Sequence, residues 1–492
     1  MRDLLRGERL DRMDEEALRY TASITDDQPL LDSVIMINKA HVIALHQAGI
    51  LDRPHASKLL NALNIKEDLP KTFEFEDAHM FVEQKVTEKV GKVGGYLNLG
   101  KSRNDQVATA IRMTMRAPIL ALASSILDLV DAMVDKASKS TTKIIPSYTH
   151  LQIAQPSTMA HWLLAYGEML MRDVDRLLEN YDRVNCSPMG AGASAGTTVN
   201  IDRQLLAKLL GFKSVVENSL DAVSSRDFLI EFIYVTASAA LTISRISEDI
   251  NFMSNNQVGV VRVPDAYAST SSAMPQKKNS VVTEIARARS GTIIGNLMSA
   301  ICTYKALPSS YNLDLQEMTP KVWENQRLLK ETVDVFRKLI EGLDVDEKRS
   351  CDLLVSEFST AMELAEYITV SMKIPFREAH HAVGAYVRRC MEESLDPKSQ
   401  KAHSILISEV EKHGGSTFGY ETYLSLLDPR QSIIKKTIYG SPNPSNTEKM
   451  IHERRLLIGR RRKSVLEEVS RLNSVSSELE RFEKEIIGGE RA

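Results

Sequence analysis

Residues 111–139, IRMTMRAPILALASSILDLVDAMVDKASK, decide the fold class. Ile119, Leu122, Ile126, Leu129 and Met133 recur at three- and four-residue steps, the period of an α-helix. Pro118 is expected to kink this helix near its start. The same pattern returns in residues 161–184, 228–254, 281–304 and 321–343. Helices of that length, apolar on more than one side, imply a core bundle buried against other helices or other subunits. The chain is therefore expected to be all-α.

Outward from that bundle the pattern changes. Residues 29–65 show shorter helical stripes, with a turn at Gly49 and a new start at Asp52-Arg53-Pro54. Beyond about residue 355 the stripes shorten again, punctuated by Pro375, Pro429, Pro442 and Pro444. Three units are expected: 1–110, an N-terminal helical domain; 111–355, the long-helix bundle; and 356–492, a C-terminal helical domain with a charged helical tail. In that tail Val465, Val469, Leu472, Leu479, Phe482 and Ile486 fall at roughly heptad spacing. A partner-binding coiled coil and a helix packed on its own domain both produce such a stripe. No internal repeat or low-complexity linker is visible.

Composition narrows the function classes. The net charge of −3 over 492 residues implies no polyanion, so no nucleic-acid partner is expected. Cys186, Cys302, Cys351 and Cys390 are scattered, without a Cys-x-x-Cys pair, and signal neither a zinc site nor a disulfide framework. The start, Met1-Arg2-Asp3-Leu4-Leu5-Arg6, has no signal-like apolar core. The most apolar long run, 228–243, is interrupted by Glu231 and followed by Arg245, too short and broken for a bilayer span. A cytoplasmic protein without membrane contact is the expectation.

The densest chemistry lies in Ser271-Ser272-Ala273-Met274-Pro275-Gln276-Lys277-Lys278-Asn279, with Glu284 beyond. Small polar residues predict a mobile loop ending at Pro275, and Val281, Val282, Ile285 and Ala288 stripe a helix from Ser280 onward. A loop entering a helix offers backbone N–H groups and a positive dipole end, which attract carboxylates. A Ser-rich connection with a solvated lysine pair is the plainer reading of the same residues.

The string resembles the serine loop of the fumarase/aspartase superfamily, whose pattern runs Gly-Ser-Ser-x-Met-Pro-x-Lys-x-Asn with a later Glu. Its Gln-Lys-Lys-Asn version is similar to the argininosuccinate lyase branch. Thr270 stands where the family has Gly, and Ser280 where it usually has Pro. Further segments resemble the same branch in order and distance, covering the chain to about residue 445. They are Asp77-Ala78-His79-Met80 with Glu83, Gly100-Lys101-Ser102-Arg103-Asn104-Asp105, Tyr148-Thr149-His150-Leu151-Gln152, and the Gly/Ala run from Ser187 to Thr198. Asn218 to Val223 with Arg226 and Asp227, Tyr311 to Glu317, and Pro375 to His381 also match. Asn98, Leu99, Lys101 and Thr319 depart from the pattern, the last where the family has a basic residue that Lys321 could replace.

Read alone, several of these have plainer meanings. His79 and His150 could be packing or capping histidines, and Ser102 to Asp105 a capped helix start. The glycines between 190 and 196 lack the spacing of a nucleotide-binding loop. Adjacent His380 and His381 would point about 100° apart on a helix, which favours structure over metal binding.

The resemblance implies a three-domain fumarase/aspartase-like fold and cleavage of argininosuccinate to arginine and fumarate. It implies Ser271 as the base, with His150, supported by Glu284, as acid or relay, and Lys277 as a catalytic cation. Substrate contacts are implied for His79, Ser102, Arg103, Asn104, Thr149, Asn279, Tyr311 and Gln316. No cofactor and no metal are expected, because the elimination involves no redox step. A homotetramer with sites shared between subunits is implied as well. Two alternatives stay open: a sister lyase acting on another succinyl or aspartyl substrate, and a non-catalytic, crystallin-like homologue.

Overall fold

The structure, a computed structural model, describes residues 9–10 and 13–488. The charged chain start read above lies outside the described residues. Eight helices and one hairpin position the candidate site. They are α1 (Leu31–Gln47), α2 (Ala78–Val90), α3 (Arg103–Ser138), β1 (Ile144–Thr149), β2 (Gln152–Thr158), α4 (Met159–Val184), α5 (Asp227–Ser254), α6 (Val281–Tyr304), α7 (Thr319–Gly342) and α8 (Pro444–Gly488). Among the described residues the sheets are two-stranded pairs only, so the fold is all-α around a bundle of long helices.

Helix α3 is the spine: it packs on α4, α7 and α8, while α5 packs on α4, α6 and α7. Ile119, Leu122, Ile126 and Leu129 of its stripe are each 0 % exposed. Burying one such side chain stabilises the fold by about 1.5–3 kcal/mol, and Leu129→Ala would cost about 2–5 kcal/mol. The helix begins at Arg103, well before the apolar stripe, because a cap and not hydrophobicity starts it. Ser102 is the N-cap, its hydroxyl accepting from the Asn104 N–H at 3.3 Å while the Asp105 carboxylate accepts from the Ser102 N–H at 3.0 Å. Pro118 sits inside α3 without ending it.

The main core takes in residues from Ile24 to Val345, and Ile451, Ile458, Val465, Leu479 and Ile486 of α8 join it. A second core runs from Phe358 to Leu427. The tail stripe therefore lies along the long-helix bundle of its own chain, away from the shorter helices that precede it. Polar contacts fix its far end: Lys39 pairs with Glu483 at 2.9 Å, and the Arg53 Nε donates to the Ile486 carbonyl at 2.9 Å. By length and composition α3 and α5 could each cross a membrane, but 61% and 56% of their most apolar windows are buried within the protein.

Candidate active site

A cavity of about 300 Å³ opens between the N-terminal segment, the starts of α2 and α3, and the 311–320 connection. His79, Arg103, Asn104, Tyr311 and Gln316 line it together, from three stretches far apart in sequence. Arg103 is held by carboxylates, Asp77 at 3.1 Å and Glu83 at 3.9 Å. The Asn104 amide donates to the Ala193 carbonyl at 2.9 Å. His79 is 3 % exposed, and burial, reinforced by Arg103 and Lys101, pushes its pKa well below the ordinary 6.5, so the ring is neutral. Burial raises the Tyr311 phenol, and the Gln316 Nε2 donates to the Thr21 carbonyl at 3.0 Å.

The Gly/Ala run explains how the start of α3 is held. Gly192 donates its N–H to the Asp105 carboxylate at 2.8 Å, while Asp105 also accepts from Ser102 at 3.0 Å. Burial nevertheless raises the Asp105 carboxyl to about 6. The run thus braces the turn that carries Ser102, Arg103 and Asn104.

Three cavity residues carried no assigned role in the sequence. Ser23 and Asp27 come from the segment before α1, where no motif marks them. Asp27 accepts from the Ser23 hydroxyl at 2.9 Å and the Ala78 N–H at 3.0 Å, and burial, with Asp77 nearby, raises it to about 7. Arg226 matched a family segment, yet only the fold puts it here. It is 0 % exposed, donates to the Ser225 carbonyl at 2.8 Å, and leaves Nε and Nη2 without a partner. Burial lowers its guanidinium to about 10.

The remaining expected residues lie elsewhere on the chain. Thr149 ends β1, paired with Gln152 of β2, and His150 sits on the exposed turn between them. His150 and Leu151 both have positive φ, 53° and 60°, a left-handed conformation that costs non-glycine residues energy and is found at functional turns. His150 borders a different cavity, with Tyr148, Trp162 and Asp249. Neither His150 nor Glu284 makes a side-chain hydrogen bond to the other within the chain, among the described residues.

The serine loop is built as a short hairpin. Ser269 pairs with Asn279 and Thr270 with Lys278, so the hairpin closes beyond Pro275 and α6 starts at Val281. The Ser271 Oγ accepts from the N–H groups of Ala273 at 3.2 Å and Met274 at 3.1 Å. Lys278 is tied to Asp265 at 2.6 Å and the Val263 carbonyl at 2.5 Å, whereas Lys277 has no ion pair among the described residues. The loop is largely exposed and borders neither of these two cavities. No cluster of three or more His, Cys, Asp or Glu residues suited to a metal occurs among the described residues.

A family profile described as lyase matches residues 37–295, and one described as argininosuccinate lyase C-terminal matches residues 358–434. An argininosuccinate lyase from Methanothrix thermoacetophila is 39% identical over 475 residues, covering 96% of each chain. Another from Methanocaldococcus jannaschii is 36% identical, over 98% of this chain and 100% of that one. Among solved structures, EDDS lyase in complex with formate superimposes with a TM-score of 0.87 at 24% identity, covering 97% of both chains. Class II fumarase from Schistosoma mansoni gives 0.69 at 16% identity, over 85% of this chain and 94% of that one. The chain belongs to the argininosuccinate lyase family.

Proposed function

We propose that this chain cleaves argininosuccinate to L-arginine and fumarate by base-catalysed elimination, the last step of arginine biosynthesis, in a cytoplasmic homotetramer. The cavity that gathers Arg103 and Asn104 with Asp27, Tyr311 and Gln316 carries this reading. A guanidinium and an amide suit the carboxylates of a succinyl unit. A buried carboxyl, a phenol and an amide suit an arginine-like end. Names shared by the relatives favour this reaction over that of a sister lyase.

Ser271, as alkoxide, takes a proton from the succinyl carbon beside a carboxylate. The C–H electron pair moves onto that carboxylate, giving a dianionic aci-carboxylate. The pair then returns to form the C=C bond as the C–N bond breaks, and the leaving nitrogen takes a proton from His150. Arginine and fumarate depart, and exchange with solvent resets both groups. A serine hydroxyl is no base at its free pKa, so its negative form needs donors in place. Two backbone N–H groups already point at the Ser271 Oγ, which favours it over Ser272, and Lys277 makes no ion pair among the described residues. Asn279 and Thr149 would hold the same carboxylates.

Ser271, His150 and the cavity residues stand apart on one chain, so we take the working site to form where copies meet. There Glu284 of one copy would pair with His150 of another and raise its basicity. Exposed apolar residues on α5 and α6, Tyr234, Leu241, Ile285, Met298 and Ile301, support assembly through these helices. Fumarate absorbance with argininosuccinate, adenylosuccinate, aspartate and malate in parallel tests the function. Release from argininosuccinate alone is expected. Turnover of another compound only would make this a sister lyase, and silence on all of them a non-catalytic homologue.

A further inference from the structure

Two buried side chains of α1, one helical turn apart, hold the segment just before Ser102, His41 through a backbone carbonyl and Asn38 through the Lys101 side chain. The His41 Nε2 donates to the Leu99 carbonyl at 2.8 Å, and the Lys101 Nζ donates to the Asn38 Oδ1 at 2.5 Å. Asn38 has no freedom to turn away, because its Nδ2 donates to the Val34 carbonyl at 2.8 Å. Asn38 is 4 % exposed and His41 0 %. Residues 99 and 101 are thus fastened to a rigid helix, and Ser102, Arg103 and Asn104 follow at once. We infer that Lys101 is a positioning residue: with Asn38 and His41 it pins the 99–101 backbone to α1 and fixes the aim of Ser102, Arg103 and Asn104 at the substrate's carboxylates. This rests on the function proposed above, and it gives a role to a lysine that departs from the family pattern.

The charges around Lys101 make the role measurable. His41 faces it from α1, His79 and Glu83 from α2, and Arg103 and Asp105 from its own segment. Burial lowers the Lys101 amine to about 7 and His41 to about 3, while Asp105 titrates near 6. A dicarboxylate docking on the next residues favours the ammonium form. KM should therefore rise as pH climbs above about 7, where both histidines are already neutral and Asp105 already ionised.

The test is steady-state kinetics on the assembled enzyme across that range, with fumarate binding by calorimetry in parallel. Losing one hydrogen bond to a charged group predicts that Lys101→Met raises KM about tenfold, with kcat nearly unchanged, and flattens the pH slope of log KM. Lys101→Arg should recover most of the affinity but not the slope, because arginine does not titrate there. Asn38→Asp, nearly isosteric, should hold the ammonium charged and move the rise in KM to higher pH; it stands in if Lys101→Met fails to fold. Unchanged KM and slope in these variants would overturn the positioning role. An inactive wild type would instead defeat the proposed function, and fumarate affinity that falls in Lys101→Met would still support the pin. Equal fumarate affinity would overturn it.

Discussion

An alanine at position 192 would place its Cβ 2.5 Å from the carbonyl oxygen of Gly196 and 3.0 Å from that carbonyl's carbon, at a backbone φ of +65°. The left-handed conformation alone costs about 1–2 kcal/mol for a residue with a Cβ. The clash is with backbone, so it is relieved only by moving the loop. Moving the loop withdraws the Gly192 N–H from the Asp105 carboxylate, 2.8 Å away in the buried brace below Ser102, Arg103 and Asn104. An unsatisfied buried partner of that kind costs about 1–3 kcal/mol. Together these predict a loss of about 2–5 kcal/mol for Gly192→Ala.

Gly196→Ala is the matched control. Its φ is +81°, and a Cβ there meets nothing within 4 Å. Only the conformational cost of about 1–2 kcal/mol applies. Urea unfolding of both variants, followed by circular dichroism, compares the two losses. Steady-state kinetics should show KM for argininosuccinate raised in Gly192→Ala and near wild type in Gly196→Ala. Equal destabilisation, or an unchanged KM in Gly192→Ala, would refute the brace between the Gly/Ala run and the start of α3.

Ser271→Ala should lower kcat by about 10²–10⁴-fold while leaving fold and substrate binding near normal, and an active Ser271→Ala beside a dead Ser272→Ala would move the base to the neighbour. Light scattering should report a tetramer, and mixing His150→Ala with Lys277→Ala subunits should recover partial activity; a fully active monomer would end the shared-site reading. Asp27→Asn should raise KM more than it lowers kcat, since the carboxyl lines the cavity and does not reach the serine loop. Burial raises Asp27 from 3.8 to about 7, so between those values the folded state holds a proton that the unfolded state lacks. Stability from this group is therefore lost as pH rises through that window, and Asp27→Asn should gain on wild type between about pH 5 and pH 8. A constant gap in thermal melts at those two pH values would count against it.

Periodicity reached the long helices because each buries a continuous stripe, and a stripe is written in one stretch of chain. It misplaced the start of α3, where Ser102 and Asp105 cap polar turns that have no stripe to read. It also left the destination of α8 open. Val465, Leu479 and Ile486 mark an apolar face, but only the packed bundle shows that α3 and its neighbours cover it. His150 and Leu151 adopt left-handed backbone without the glycine or asparagine that normally signals such a turn. Ser23 and Asp27 were invisible for a different reason. Their chemistry arises from distance, since Asp27 becomes unusual only when the Ala78 N–H and the cavity wall close over it.

The same distinction runs through the candidate site. A motif records which groups a segment can offer, whereas catalysis depends on which segments meet. One chain brings Arg103 and Asn104 to the Tyr311–Gln316 connection, and the contacts at Gly192 and Lys101 both lie within that one chain. The serine loop is finished differently: its hairpin closes on itself, two N–H groups already face the Ser271 Oγ, and its free ammonium points to no partner of its own chain among the described residues. A loop preorganised in this way, yet exposed, is complete as a part and incomplete as a site. If copies of the chain supply what each lacks, water leaves the Ser271 hydroxyl only on assembly, and basicity that would be idle in the monomer appears where the substrate is held.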